Sequence, residues 1–368
     1  LACPRGERYY PGAQLAKLTA SLLRKGASAV CAYALPPGSQ RLREQIAQRG
    51  LRLGMHPAAD DIVITHGAME ALHLALRAAT GPGDSVGIEA PSYFNLYPLL
   101  DSLGLKAIEI PTHPRDGLDL DALEALLCEK RLAAVVAMPT VHNPLGFTMP
   151  LAAKQRLAAM VNAFRVALVE DALYAELQFA EPLQPTVKAF DTGGWVMLCS
   201  SFSKTLAPDY RIGWIDAGRF GDAVRRLKFS SSIAESMLLS ETIARFLESG
   251  GYEHHLRSLR RLYHGQVATV RSLVARHFPA GTQATQPAGG FLLWVELPPS
   301  IDSVALFHAA LAEQIVIMPG QLYSGGARYR RCFRLSCCQP LDQRFTAAIE
   351  RLGQLATLLA LPRSSTGA

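Results

Sequence analysis

The chain contains no run of 18 apolar residues that would cross a bilayer, and no secretory leader at its start. Nor does it carry a lysine- or arginine-rich block, and a net charge of +6 over 368 residues is mild. Together these absences predict a cytoplasmic protein that touches neither membrane nor nucleic acid through this chain itself. Its seven cysteines, at positions 3, 31, 128, 199, 332, 337 and 338, form no Cys-x-x-Cys pair and no Cys/His spacing suited to zinc. Neither a disulfide framework nor a metal site is expected. His-Glu-x-x-His, a Walker loop and Gly-x-Gly-x-x-Gly are also missing, which removes the usual zinc-peptidase, triphosphatase and dinucleotide signatures. Methionine is absent from position 1; a start of Leu-Ala-Cys-Pro implies a processed chain or a piece of something longer.

What is present is an ordinary globular composition, 49% hydrophobic, on a chain too long for one typical core. Residues 13 to 25 and 39 to 49 carry apolar side chains at helical spacing, with a turn at Tyr33-Ala-Leu-Pro-Pro-Gly38 between them. From Ile62 short apolar strands alternate with helices: 62–65, 85–89, 106–110, 133–138, 166–169, 195–199 and 211–215. That alternation predicts an α/β fold whose large domain has a mostly parallel sheet flanked by helices, with ligands at the carboxyl ends of the strands. Long amphipathic helices over roughly 219–249 and 252–277 follow, broken at Gly250-Gly251. A smaller α/β unit has strands near 290–297 and 332–337 and helices near 302–314 and 341–359. The domain expectation is therefore an N-terminal segment, 1–40, a large domain, 41–250, a small domain, 251–360, and a frayed tail, 361–368.

Chemistry concentrates at the strand ends. Lys204 lies between two apolar runs in Ser200-Ser-Phe-Ser-Lys-Thr-Leu-Ala-Pro-Asp-Tyr-Arg-Ile-Gly-Trp214, and a lysine desolvated there becomes a usable amine. Ser201 and Ser203 offer hydroxyls, and Arg211 a planar fork suited to a phosphate dianion. Gly67 opens a helix after the first strand and can expose backbone N–H groups to an anion, although glycine in such a turn also serves geometry alone. Tyr93 offers a ring to stack on a flat cofactor or simply to pack. Asn143, in Pro139-Thr-Val-His-Asn-Pro-Leu-Gly146, has an amide available to a phenolic oxygen. Asp171 ends a buried strand and needs either a cationic partner or a helix N-terminus to cap.

The order of these motifs resembles the fold-type I pyridoxal-phosphate enzymes of the class I/II aminotransferase group, from about Tyr33 to Leu355. The resemblance implies an aspartate aminotransferase-like fold, pyridoxal 5′-phosphate as cofactor, and Lys204 as its covalent anchor. It places Ser201, Ser203, Arg211 and the backbone of Gly67, Ala68 and Met69 on the phosphate, Tyr93 against the ring, and Asn143 and Tyr174 on its O3′. Asp171 matches the acid at the pyridine nitrogen, so the catalytic set is Lys204, Asp171 and Tyr93. Arg334, in Phe-Arg-Leu-Ser, matches the arginine that grips a substrate carboxylate beside Asn143, and Tyr33 matches a tyrosine reaching the neighbouring subunit's phosphate. The resemblance thus implies a homodimer with shared sites, residues 1–40 contributing to the small domain and the dimer contacts, that takes an amino acid or amine and a 2-oxo acid.

The seven-residue interval from Lys204 to Arg211 resembles the aminoadipate-type branch and the MocR-type regulators. The runs His255 to Arg261, His277 to Thr282, Gly289 to Leu297 and Met318 to Ser324 are similar to the regulators, which belong to the GntR family and join a DNA-binding helix-turn-helix segment to an aminotransferase-like domain. This chain departs from the family pattern in the Ala-Leu-Pro-Pro-Gly turn after Tyr33, in Ala172 and in Asp209. The expected function is thus the effector-sensing domain of such a regulator, with DNA contacted only through a segment outside this chain. A free-standing aminotransferase is the alternative, and a lyase or decarboxylase a third reading on the same fold.

Overall fold

The computed structural model describes residues 4, 7–24, 26 and 31–360; the expected frayed tail, 361–368, lies outside the described residues. Eight strands form the larger sheet: β1 (Ile62–Thr65), β2 (Ser85–Ala90), β3 (Lys106–His113), β4 (Gly117–Leu118), β5 (Ala134–Ala137), β6 (Ala167–Asp171), β7 (Val196–Ser201) and β8 (Gly213–Asp216), in spatial order β1-β8-β7-β6-β5-β2-β3-β4. Strands β3, β2, β5, β6 and β7 run parallel, whereas β8 is antiparallel to both of its neighbours. Every residue of β1, β5, β6 and β8 is buried, as expected for strands covered on both faces.

Among the described residues eleven α-helices accompany the strands: α1 (Gly12–Arg24), α2 (Gln40–Gly50), α3 (Gly67–Ala79), α4 (Leu96–Ser102), α5 (Leu120–Cys128), α6 (Leu151–Phe164), α7 (Gly221–Ser231), α8 (Met237–Glu248), α9 (Gly251–His277), α10 (Ser303–Ala312) and α11 (Gln343–Ala360). The smaller sheet orders β11 (Met318–Pro319), β12 (Cys332–Ser336), β10 (Leu292–Glu296) and β9 (Gln283–Ala284), all antiparallel. Helix α9, 27 residues and so about 40 Å long, joins the two regions. Tyr252, Leu256, Leu259 and Tyr263 in its first half pack with Leu198, Phe202 and Trp214 beside the large sheet. Val267, Val270 and Val274 in its second half pack with Leu293, Phe333 and Leu352 around the small one.

The expected single helix over 219–249 is two. Lys228, fully buried, donates from Nζ to Glu70 Oε2 at 2.7 Å and to Ser232 Oγ at 2.8 Å, and pairs with Glu235. These bonds turn the chain out of α7; Ile233 takes a left-handed φ of 64°, and Ser236 caps α8 by accepting from Leu239 N. Because Glu70 belongs to the first turn of α3, the break is tied to the helix whose start faces the candidate site.

Candidate active site

Four elements deliver their carboxyl ends, or the turns after them, to one place. Thr65 ends β1 opposite Gly213 of β8, and the turn leads into α3 at Gly67, whose φ is 73°. A Cβ built on Gly67 would sit 2.6 Å from Arg211 Nη2, and one built on Gly213 would sit 2.5 Å from the carbonyl carbon of Gly67. Both glycines are therefore required by close approach, and the result is that the start of α3 lies against the Arg211 guanidinium. His66 gives α3 no side-chain cap, so the first N–H groups, Gly67 to Met69, remain suited to an anion.

Arg211 has a left-handed φ of 53° and donates from Nη1 to Ser203 Oγ at 3.2 Å. Ser203 N donates to Ser201 Oγ at 3.3 Å, and both serines are at least nine-tenths buried. The loop carrying Lys204 is held from beneath by Tyr252, whose hydroxyl bridges Thr205 Oγ1 at 2.7 Å and Glu176 Oε2 at 2.9 Å. His255 Nε2 lies 2.8 Å from Thr205 O.

Asp171 closes β6 next to Cys199 of β7. Its Oδ1 accepts from Leu173 N at 3.0 Å. Burial, reinforced by the carboxylates of Glu89 and Glu170, pushes its carboxyl up to about 7 against the pull of Lys204. Tyr93 is raised by burial too, with Asp171, Arg334 and Arg211 all close enough to act on it; Tyr174 is likewise raised, chiefly by burial. Asn143 Oδ1 accepts from Arg334 Nη1 at 3.1 Å, while Arg334 Nε is buried without a hydrogen-bond partner among the described residues. Arg334 sits on β12 opposite Trp294 and 5.5 Å from the Tyr323 ring centre. Tyr33 does not join this group within one chain; it is 78% exposed, on a segment where Ala34 bridges Glu235.

Two residues of the site escaped the sequence reading. Glu89, at the end of β2, accepts from Met138 N at 2.7 Å through Oε2, and its Oε1 is buried without a partner. His142 Nε2 lies 3.2 Å from Glu89 Oε2, its Nδ1 accepts from Leu145 N at 3.2 Å, and its ring stacks on Phe147. The two groups are close without a hydrogen bond between them, since His142 Nε2 makes none among the described residues. The pair braces the segment 138–143 that presents Asn143. The signal for Glu89 was the one that found Asp171, an acid closing a buried strand.

The sequence pattern of aminotransferase class I and II matches residues 10–352. The chain belongs to this family. Among its relatives, the uncharacterised HTH-type transcriptional regulator YjiR of Escherichia coli is 36% identical over 88% of this chain and 69% of its own length. Aromatic-amino-acid aminotransferase 1 of Thermococcus litoralis is 28% identical over 94% of this chain and 84% of its own. The crystal structure of the α-aminoadipate aminotransferase LysN of Thermus thermophilus, complexed with N-(5′-phosphopyridoxyl)-L-leucine, superposes with a TM-score of 0.89 at 28% identity, covering 98% of this chain and 91% of that one. The cofactor of this class I/II aminotransferase fold is pyridoxal 5′-phosphate.

The residues present fit that group. The close approach at Gly67 sets the Arg211 guanidinium beside the uncapped start of α3, so both kinds of donor converge where a phosphate would be held. Asp171 has one backbone donor, and its raised carboxyl is that of a buried acid in want of a cation, which a protonated ring nitrogen would be. Two outcomes are expected. Gly67→Ala should raise the cofactor's Kd at least tenfold, about 1.4 kcal/mol, because the new Cβ displaces the Arg211 guanidinium, while the left-handed φ costs ~1 kcal/mol of folding stability with or without cofactor; equilibrium dialysis measures the first and thermal unfolding the second.

The second concerns pH. A carboxyl whose folded value lies above its ordinary 3.8 binds more protons in the folded state. Its contribution is full below that ordinary value and is lost as pH rises toward about 7. The cofactor-free protein should therefore lose stability across this window, and Asp171→Asn should flatten that slope in thermal unfolding curves. An unchanged slope in the variant would assign the pH dependence to other groups.

Proposed function

We propose that this chain is the cofactor-binding, effector-sensing and oligomerisation unit of a MocR-type regulator of the GntR family, working in the cytoplasm. The supporting observation is the 36% identity to two HTH-type regulators of Escherichia coli, YjiR and YdcR, against 26–29% for the aminotransferases; the regulators YdfD and NorG, at 28% and 26%, fall in that same lower range. In this reading residues 41–250 hold the cofactor and 251–360 form the small domain that closes on the effector, an amino acid or amine. DNA is contacted through a helix-turn-helix segment outside this chain. The reading frame upstream of Leu1 tests it: about 70 or more residues patterned as a helix-turn-helix, followed by a linker, support the regulator.

The chain's residues divide the work at the site. Gly67 to Met69, Ser201, Ser203 and Arg211 would hold the phosphate, Tyr93 would pack against the ring, and Asn143 and Tyr174 would bind its O3′. Pyridoxal 5′-phosphate, when bound, supplies an electron sink for negative charge developing at the amino acid's Cα. Arg334 takes the carboxylate with its planar fork, Nε included, and Asn143 orients that fork. Lys204 would anchor the cofactor, and its amine would take the Cα proton as general base and return it as acid. Asp171 would hold a proton on the ring nitrogen.

The dimer belongs to the same proposal. Tyr33, Leu35, Phe229 and Ile233 are apolar or aromatic side chains exposed between 46% and 78%, and the Ala34–Glu235 bridge brings their segments together. A second copy covering this face would let Tyr33 reach the neighbouring phosphate. The complete set of Lys204, Asp171 and Arg334 favours the second reading, a free-standing aminotransferase, because sensing alone does not require a base at Cα. Turnover of an amino acid with a 2-oxo acid at a rate typical of enzymes, together with a start codon close to Leu1, would establish it.

A further inference from the structure

The run 255–261 marks the regulator branch in sequence, yet only His255 serves the cofactor loop. On α9, His254, Arg257, Arg261 and His264 are exposed and spaced by three or four residues, so they share one face. A solvated basic face would need nothing more. Arg260, between them, is different: it is 4% exposed, Nε donates to Glu176 O at 2.8 Å, and Nη1 donates to Glu181 Oε1 at 2.8 Å. Its Nη2 is buried with no hydrogen-bond partner among the described residues. A buried guanidinium N–H left unmade costs more than a hydrogen bond gains, so it calls for an acceptor.

These groups line one cavity of about 570 Å³, with Phe179 packed against the His264 ring at 4.9 Å between centroids and Glu181 at its side. Three arginines against one glutamate leave a charge of +2 with both imidazoles counted neutral. None of the residues assigned to the cofactor or the carboxylate lines it.

We propose that this cavity is a second ligand site, for a small anion bearing a terminal phosphate. Arg257 and Arg261 present planar forks to its oxygens from the rim, Arg260 Nη2 supplies the donor beneath, and Phe179 offers an apolar wall to the remainder of the ligand. A dianion matches the charge. The site stands independently of the regulator reading.

The test is calorimetric titration of pyrophosphate into the cofactor-loaded protein, whose cofactor phosphate site is then filled. Saturable binding with one site per chain and a Kd below about 1 mM is expected. Arg257→Ser combined with Arg261→Ser should weaken it at least tenfold with the cofactor's absorption unchanged. Glu181→Gln, which removes the carboxylate competing for Arg260, should tighten it about threefold, a gain that misfolding cannot produce. No saturation, equal affinity in the double variant, or weaker binding in Glu181→Gln would overturn the proposal, as would displacement of pyrophosphate by a random duplex at equal phosphate concentration.

Discussion

Lys204→Ala protein supplied with pyridoxal 5′-phosphate is expected to lack the near-visible absorption band of the wild type and to lose any amino-group transfer by a factor of ~10³ or more. The lysine occupies the turn between β7 and β8, a loop held by Tyr252, Glu176 and His255 through Thr205. Nothing else in the site combines an amine with proximity to Asp171, whose carboxyl feels Lys204 directly. In the proposed assignment alanine removes the covalent anchor and the Cα base together, while Arg211, Ser201 and Ser203 would still hold the phosphate. The variant should thus bind the cofactor reversibly and release it on dialysis. A wild-type protein that stays colourless with the cofactor would contradict the assignment of Lys204, and a variant that keeps the band would move it to another amine.

Arg334→Leu should weaken amino-acid binding about a hundredfold while leaving cofactor loading intact. The estimate follows from two charge-assisted hydrogen bonds at roughly 1.5 kcal/mol each. Arg334 is 3% exposed, with one nitrogen committed to Asn143 and Nε unsatisfied. Such a donor set is complete only when an acceptor arrives. Leucine fills much of the volume and leaves Asn143 Oδ1 without its donor, so a modest stability loss accompanies the binding loss. Arg334→Lys restores the charge without the planar fork and should recover only part of the affinity. Spectral titration with a tight amino acid reads both variants, and unchanged affinity in Arg334→Leu would place the carboxylate elsewhere.

Why Asp171, Asn143 and Lys204 could be read from the sequence is a matter of strand ends. A charged or amide residue closing an apolar run has few ways to be satisfied, and each of these sits where the loops of a parallel sheet gather. Glu89 obeys the same rule and was passed over because its run, Ser85 to Glu89, ends one residue before Ala90 and carries no flanking motif. His142 was hidden inside a turn whose prolines and glycine already explained it.

The antiparallel course of β8 was not read either, since alternation of strands and helices carries no direction. Only eleven residues, 202–212, connect β7 to β8. That is short for a parallel crossover, which takes a dozen or more residues and usually a helix. The break between α7 and α8 depends on Lys228 finding Glu70 from far along the chain. Local periodicity cannot report such a contact.

The central claim is that this chain holds pyridoxal 5′-phosphate in a site that recognises amino acids through Arg334 and Lys204. Absorbance titration of the cofactor-loaded wild type with a panel of amino acids and amines tests it most directly. A saturable shift of the near-visible band with at least some amino acids, lost in Arg334→Leu, is the predicted result; a band that stays unmoved by every amino acid and amine in the panel would contradict it.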